Sequence, residues 1–283
     1  VVLPNTGLFA DARLLSELGR EAEEAGWDGV FVWDSLTVAM EDPRLRPACD
    51  PWIALGLIAA ATSRVTIGTM ITPLTRRRPW VVAQETVTLD QLSGGRFVLP
   101  VGLGALDDGA FSKVNEETDR VVRAQRLDES LQILAGVWTG KPFTFEGKHF
   151  RVHDLSILPP SVQRPRIPVW VVGLWPRRRS MARALRWDGI IPSVERSDGS
   201  RHDPTPEDVR AIRSDIQGRV AAGYDLVVEI DTSGKERGEA AALAGQYADA
   251  GTTWWLEAVW QQMYEHPGEV APLRARIAAG PLL

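Results

Sequence analysis

Short apolar runs and amphipathic stretches alternate along the whole of this chain. VVLPN opens with a run too short for a helix and reads as a strand. In DARLLSELGREAEEAGW, Leu14, Leu15, Leu18, Ala22 and Ala25 form a helical stripe that Gly26 ends. DGVFVWD is a second strand, and a proline-containing loop runs from Leu36 to Cys49. Asp50-Pro51 then supplies an N-cap and a first-turn proline for the next helix. The block from Val65 to Ala105 compresses the same pattern: VTIGTMI as strand, Thr72-Pro73 at its end, PWVVAQETVTLDQL as helix, Ser93-Gly94-Gly95 as stop, RFVLPVGLG as strand. So short a strand–helix–strand unit implies parallel strands and a right-handed crossover.

The alternation continues through a long amphipathic helix, Glu117 to Trp138. TGKPFTFEGKHFRV breaks it as a hairpin turning at Glu146-Gly147, within an insertion of about residues 139–167. Strands IPVWVVG, WDGIIP, LVVEI and TTWWLE follow, separated by the RRRSMARAL helix, a polar loop at 195–206 with a helix at 206–222, and the EAAALAGQYADAG helix; GEVAPLRARIAAG closes the pattern as a helix. The count is eight strand–helix units without a GxGxxG after the first strand. This predicts one α/β domain over residues 1–283, a (β/α)8 TIM barrel with a hairpin insertion after the fourth helix, rather than a doubly wound sheet. Polar and glycine residues cluster just after the strands, where such barrels carry their sites.

Composition narrows the chemistry. A net charge of -5 disfavours a nucleic-acid partner, and Cys49, the only cysteine, rules out an internal disulfide and a cysteine-rich metal site. His149, His153, His202 and His266 lack ligand spacing, so no metal site is expected. No apolar window reaches the length of a membrane span and the start lacks a signal-peptide pattern, so the expectation is a cytoplasmic protein without membrane contact. The eleven tryptophans are read as packing between helices and strands.

The segments AEEAGWDGVFVWD, TPLTRRRPWVVAQETVTLDQLSGGRFVLPVGLG, FEGKHFRV, PRIPVWVVG and RWDG, with the helix opened by Asp50-Pro51-Trp52, resemble the luciferase-like flavin/deazaflavin oxidoreductases along nearly the whole chain. The resemblance implies a TIM barrel, a homodimer, and a pocket at the strand C-termini for coenzyme F420 or, alternatively, FMN. It implies a phosphate cradle in GLWPRRR, from Gly173, Leu174, Trp175, Arg177 and Arg178. It places Thr69, Met70, Ile71 and Thr72 against the ring, with a non-proline cis peptide among them, and Leu103, Gly104 and Asp108 beside it. Asp34 matches the acid that contacts the deazaflavin end. Arg76-Arg77-Arg78 is read as a loop or dimer-contact feature.

Two departures direct the functional reading. In sugar-phosphate dehydrogenases of the family a histidine follows the strand-two aspartate and a glutamate follows the strand-four glycine. Here those positions are Ser35 and Ala105, so the base and acid for oxidising an alcohol are missing. The reading is therefore an F420-dependent oxidoreductase in which reduced F420 delivers hydride to an activated C=C or C=N bond of a small molecule or peptide. An FMN-dependent monooxygenase is the alternative, and a non-catalytic flavin-binding barrel a further one. Ser35, Asp231 and Glu257 are the candidate proton donors, the last two because they close strands seven and eight.

Overall fold

The structure, a computed structural model, describes residues 1–36, 43–106, 110–259, 265–266 and 268–282. Eight parallel strands wall the barrel: β1 (Val2–Leu3), β2 (Gly29–Val32), β3 (Thr66–Thr69), β5 (Leu99–Gly102), β8 (Val169–Trp175), β9 (Gly189–Glu195), β11 (Asp225–Asp231) and β12 (Trp254–Ala258). The short β4 (Thr72–Pro73) lies on β5, and β6 (Phe143–Glu146) with β7 (Arg151–Leu155) is the inserted hairpin. β1-β2-β3 pair in order, β5-β8-β9-β11-β12 pair in order, and an Ile67–Phe97 bridge joins the two arcs beside β3 and β5.

Each barrel strand leads into a helix: α1 (Ala12–Glu24), α2 (Pro51–Ala61), α3 (Pro79–Ser93), α4 (Arg120–Val137), α5 (Arg178–Ala184), α6 (Pro206–Ile216), α7 (Arg237–Ala250) and α8 (Ala271–Ala278). The helix starts follow local chemistry. Asp50 accepts from the Trp52 and Ile53 N–H groups, both at 2.9 Å, ahead of Pro51, as its sequence position predicts. α6 is shorter than the predicted 206–222, and Gly218 and Gly223 follow it with positive φ. The polar stretch 195–206 is not a plain loop. β10 (Arg201–His202) folds back antiparallel on β9, setting Arg201 opposite Glu195, and Asp198 accepts from the Ser200 N–H and hydroxyl in the turn.

Two apolar layers result. Leu15, Leu18, Ile58, Val82 and Leu134 pack between helices and strands, while Val2, Phe31, Val98, Trp170, Ile191 and Leu256 fill the barrel interior. The tryptophans divide between them. Trp52 and Trp138 sit in the outer layer as expected, but Trp33 and Trp170 lie inside the barrel, with Trp254 packed against that interior. Phe31, Trp170 and Trp254 form a ring cluster with centroids 5.2 to 6.2 Å apart. They fit because a Cβ at Gly189 would come within 2.5 Å of Trp170 Cδ1. No helix among the described residues is long and apolar enough to cross a membrane.

At the opposite end from the strand C-termini, the buried Glu23 carboxylate ties α1 to the turn before β3. Its oxygens accept from the N–H groups of Ser63, Arg64 and Val65 at 2.6 to 3.0 Å. Burial disfavours its charge, but these donors outweigh that penalty and hold its pKa at about 2 rather than 4.5. The stabilisation is thus complete above pH 4.5 and is lost as pH falls through about 2. Urea unfolding between pH 6 and 3 should show wild type losing about 2 kcal/mol of its advantage over Glu23→Gln. A pH-independent difference would remove Glu23 from the acid sensitivity.

Candidate active site at the barrel mouth

The strand C-termini bring most of the expected residues to one end of the barrel. The Met70–Ile71 peptide is cis, as the family resemblance implies. Met70 and Ile71 are half-buried and pack on the interior cluster, giving the mouth an apolar floor. Ile71 lies across β5 where Gly102 has no side chain, and its terminal methyl would collide with any Cβ there. Thr69 and Thr72 are fully buried and bond to each other through their hydroxyls at 2.7 Å. They support the floor from beneath.

Leu103 and Gly104 continue β5. Gly104 has φ +81°, and a Cβ would come within 2.7 Å of Pro73 and 2.8 Å of Phe111, so only glycine fits. Thr75 donates to the Leu103 carbonyl at 2.8 Å, and Arg123 Nη1 donates to the Leu103 and Gly104 carbonyls, both at 3.1 Å. Asp108 lies outside the described residues, as do residues 37–42 of the Leu36–Cys49 loop.

Asp34 is buried at the rim and its partners are the arginines read as a loop or dimer feature. Arg77 Nε donates to Oδ2 at 3.0 Å and Nη2 to Oδ1 at 2.6 Å. Arg76 Nη2 donates to the Asp34 carbonyl at 2.7 Å and to Oδ1 at 3.3 Å. Arg76 and Arg77 therefore belong to the rim of the site. The cleft there has a volume of about 360 Å³, with Asp34, Ser35, Cys49, Arg77, Val114 and Glu116 among its lining. Ser35 is half-exposed in it.

The GLWPRRR segment is built differently from a backbone cradle. Gly173 faces outward, and a Cβ there would meet Ile190 within 2.5 Å, so packing under α5 requires the glycine. The Leu174 N–H is taken by Ser180 Oγ at 2.9 Å and the Arg177 N–H by the Leu174 carbonyl at 2.8 Å. Trp175 precedes a cis Pro176, and Arg178 opens an α5 of only seven residues. Side-chain charge adds to this segment. Arg177 grips Glu195 through Nε at 2.5 Å and Nη2 at 2.7 Å. Sequence reasoning missed Arg120, Arg123 and Arg201, which no motif marks. Burial, then the charges of Arg177 and Arg201, weaken the proton affinity of Arg120; burial, then Arg120, does the same to Arg123. Arg120, Arg177 and Arg201 surround Glu195, while Asp119 and Glu117 act on Arg123, and an anion would relieve the repulsion among the first three.

The two candidate donors on the last strands part company. Along β12, Leu256 faces the interior and Glu257 the helix layer. Glu257 is 1% exposed, accepts from Trp255 Nε1 at 3.0 Å and from the Thr232 hydroxyl and N–H, and pairs with Arg276 of α8 at 3.2 Å. It is a structural ion pair away from the mouth, so it is withdrawn as a proton donor. On β11, Val227 faces inward, which puts Glu229 and Asp231 on the interior side at the strand's C-terminal half. Asp231 is half-buried and accepts from the Ser233 N–H at 2.8 Å. Glu229 was not foreseen, because LVVEI is apolar on both faces and its sequence does not mark which face Glu229 takes.

Comparison with known proteins matches this architecture. A family model described as luciferase-like monooxygenase covers residues 4–278. The chain is 32% identical over 225 residues to an F420-dependent glucose-6-phosphate dehydrogenase of Nakamurella multipartita, covering 77% of this chain and 63% of that protein. It is 36% identical over 170 residues to the protein of that description from Microbacterium testaceum, covering 59% and 49%. It thus spans about half to two-thirds of these relatives' length. An F420-dependent secondary alcohol dehydrogenase in complex with an F420-acetone adduct superposes with a TM-score of 0.74 at 18% identity, over 90% of this chain and 91% of that one. The F420-dependent tetrahydromethanopterin reductase from Methanopyrus kandleri gives 0.69 at 17% identity, over 96% and 98%. These superpositions agree on the barrel, and the sequence match over residues 4–278 establishes that the chain belongs to the luciferase-like monooxygenase family.

Proposed function

We propose that this chain is a coenzyme F420-dependent oxidoreductase that reduces an activated C=C or C=N bond of a small-molecule or peptide substrate, acting as a cytoplasmic homodimer. The observation that carries the reading is the mouth itself: an apolar floor at Met70–Ile71 with the Asp34 rim beside it, together with an arginine cluster around Glu195 that calls for an anion. Two relatives at 32% and 36% identity are described as F420-dependent, which favours F420 over FMN. They are described as dehydrogenases, but in this chain Ser35 and Ala105 offer neither the base nor the acid for oxidising an alcohol. Ile53, Leu57 and Val81 are exposed on α2 and α3 and supply an apolar face for a second copy.

The residues fit a phosphorylated, flat cofactor. Met70 and Ile71 form the apolar floor, with Ile71 seated over Gly102, and Arg120, Arg123, Arg177 and Arg201 would hold the anionic end. When bound, reduced F420 supplies a hydride. Met70 and Ile71 would support the ring from below, and the Arg77-held Asp34 would offer a fixed acceptor at its polar edge. Asp231, with Ser35 as the second candidate, would deliver the proton that completes the reduction; Asp231 faces the interior from β11.

The test is a cofactor titration. F420 should bind at least tenfold more tightly than FMN, and Arg120→Ala/Arg177→Ala should raise the F420 Kd by about tenfold or more, since charge-assisted contacts are worth roughly 1.5–3 kcal/mol each. FMN binding with oxygen incorporation into product would replace the reading with a monooxygenase. Tight binding without turnover of any activated alkene or imine would replace it with a non-catalytic barrel.

A further inference from the structure

Beside the rim cleft lies a smaller cavity of about 170 Å³ between the Arg76–Arg78 turn, α4 and the hairpin. Arg76, Arg77, Arg78 and Arg126 line it, with Glu116 as the only carboxylate among the described lining residues and His149 at the hairpin side. Arg126 meets Glu116 at 3.5 Å, a loose pair, and Asp34 stands behind Arg76 and Arg77. Among the described residues, four guanidinium groups and one carboxylate line the cavity, so its walls present an excess of positive charge. Arg78 has no carboxylate partner among the described residues. It precedes Pro79, so the cavity also adjoins the positive end of the fifteen-residue α3. The Arg76 side chain is 6% exposed, which leaves its charge poorly screened by solvent.

We propose that this cavity is an oxyanion subsite for a phosphate or carboxylate group. It shares no lining residue with the arginine cluster around Glu195, and the inference stands whichever cofactor the mouth takes. Its size admits one such group and little more. It shares Arg76, Arg77 and Glu116 with the rim cleft of about 360 Å³, so the anion is either free or the charged end of a molecule whose body lies in that cleft.

Isothermal titration with inorganic phosphate and with phenyl phosphate tests this on the full chain. Both should bind wild type. Arg78→Ala/Arg126→Gln should weaken both by roughly tenfold or more, whereas Arg177→Ala/Arg178→Ala should retain one phosphate per chain. Should the first double variant fail to fold by circular dichroism, the exposed Arg78→Ala alone should still weaken binding by about threefold or more. Phenyl phosphate binding tighter than phosphate by about tenfold assigns the subsite to an organic ligand, and equal affinity assigns it to the free ion. Absence of binding to wild type, unchanged affinity in the Arg78 variants, or loss confined to the Arg177 and Arg178 variant overturns the proposal.

Discussion

Trp170→Ala should lower the free energy of unfolding by about 3–5 kcal/mol, the cost of removing a large aromatic from a filled core. Trp170 is 2% exposed and stacks on Phe31 at 5.6 Å and against Trp254 at 5.2 Å, so its loss leaves a void bounded by strands that cannot close inward. Its Nε1 also donates to Asp225 Oδ2 at 3.0 Å. Burial already raises the Asp225 pKa, and without that donor the carboxylate loses a stabilising bond. Trp170→Phe separates the two effects: it keeps most of the packing, loses the donor, and should cost about 1–2 kcal/mol. Chemical denaturation at neutral pH reads both. A loss below about 1 kcal/mol in the alanine variant would mean that the barrel interior is not packed as described.

Arg77→Met should cost about 3 kcal/mol, because it strands a carboxylate that is 1% exposed with Arg76 as its only remaining guanidinium among the described residues. Asp34→Asn should also destabilise, by leaving Arg77 facing an amide. The double variant should be more stable than the sum of the two losses predicts, since an apolar and a neutral side chain then replace a broken pair. A double-mutant cycle measured by denaturation gives the coupling directly. Strict additivity would show that Asp34 and Arg77 do not depend on each other.

Element order and the hairpin were readable from hydrophobic spacing and the cap from Asp50-Pro51, because each is set by neighbours within a few residues; the barrel class followed from the count of strand–helix units without a GxGxxG. The orientation of strand-end acids was not readable. Both faces of a barrel strand are apolar, so TTWWLE carries no polar alternation to say that Glu257 faces helices while Leu256 faces the interior. The role of Arg76 and Arg77 was hidden for a different reason. Their partner is Asp34, 43 residues before Arg77, and only the barrel's closure brings the end of β2 to the turn after β4. One hydrogen bond in the GLWPRRR segment was also hidden: the Leu174 N–H goes to Ser180 Oγ, a partner that only the fold of α5 back onto β8 reveals.

The hairpin is fastened to α4 through one carboxylate. Glu129 accepts the N–H groups of Lys148, His149 and Phe150 at 2.8 to 2.9 Å. The grip is on main-chain atoms, so the side chains at 148 and 149 can be exchanged without moving the wall they stand on. Ligand preference at that edge can therefore drift, in evolution or by design, while the architecture stays constant.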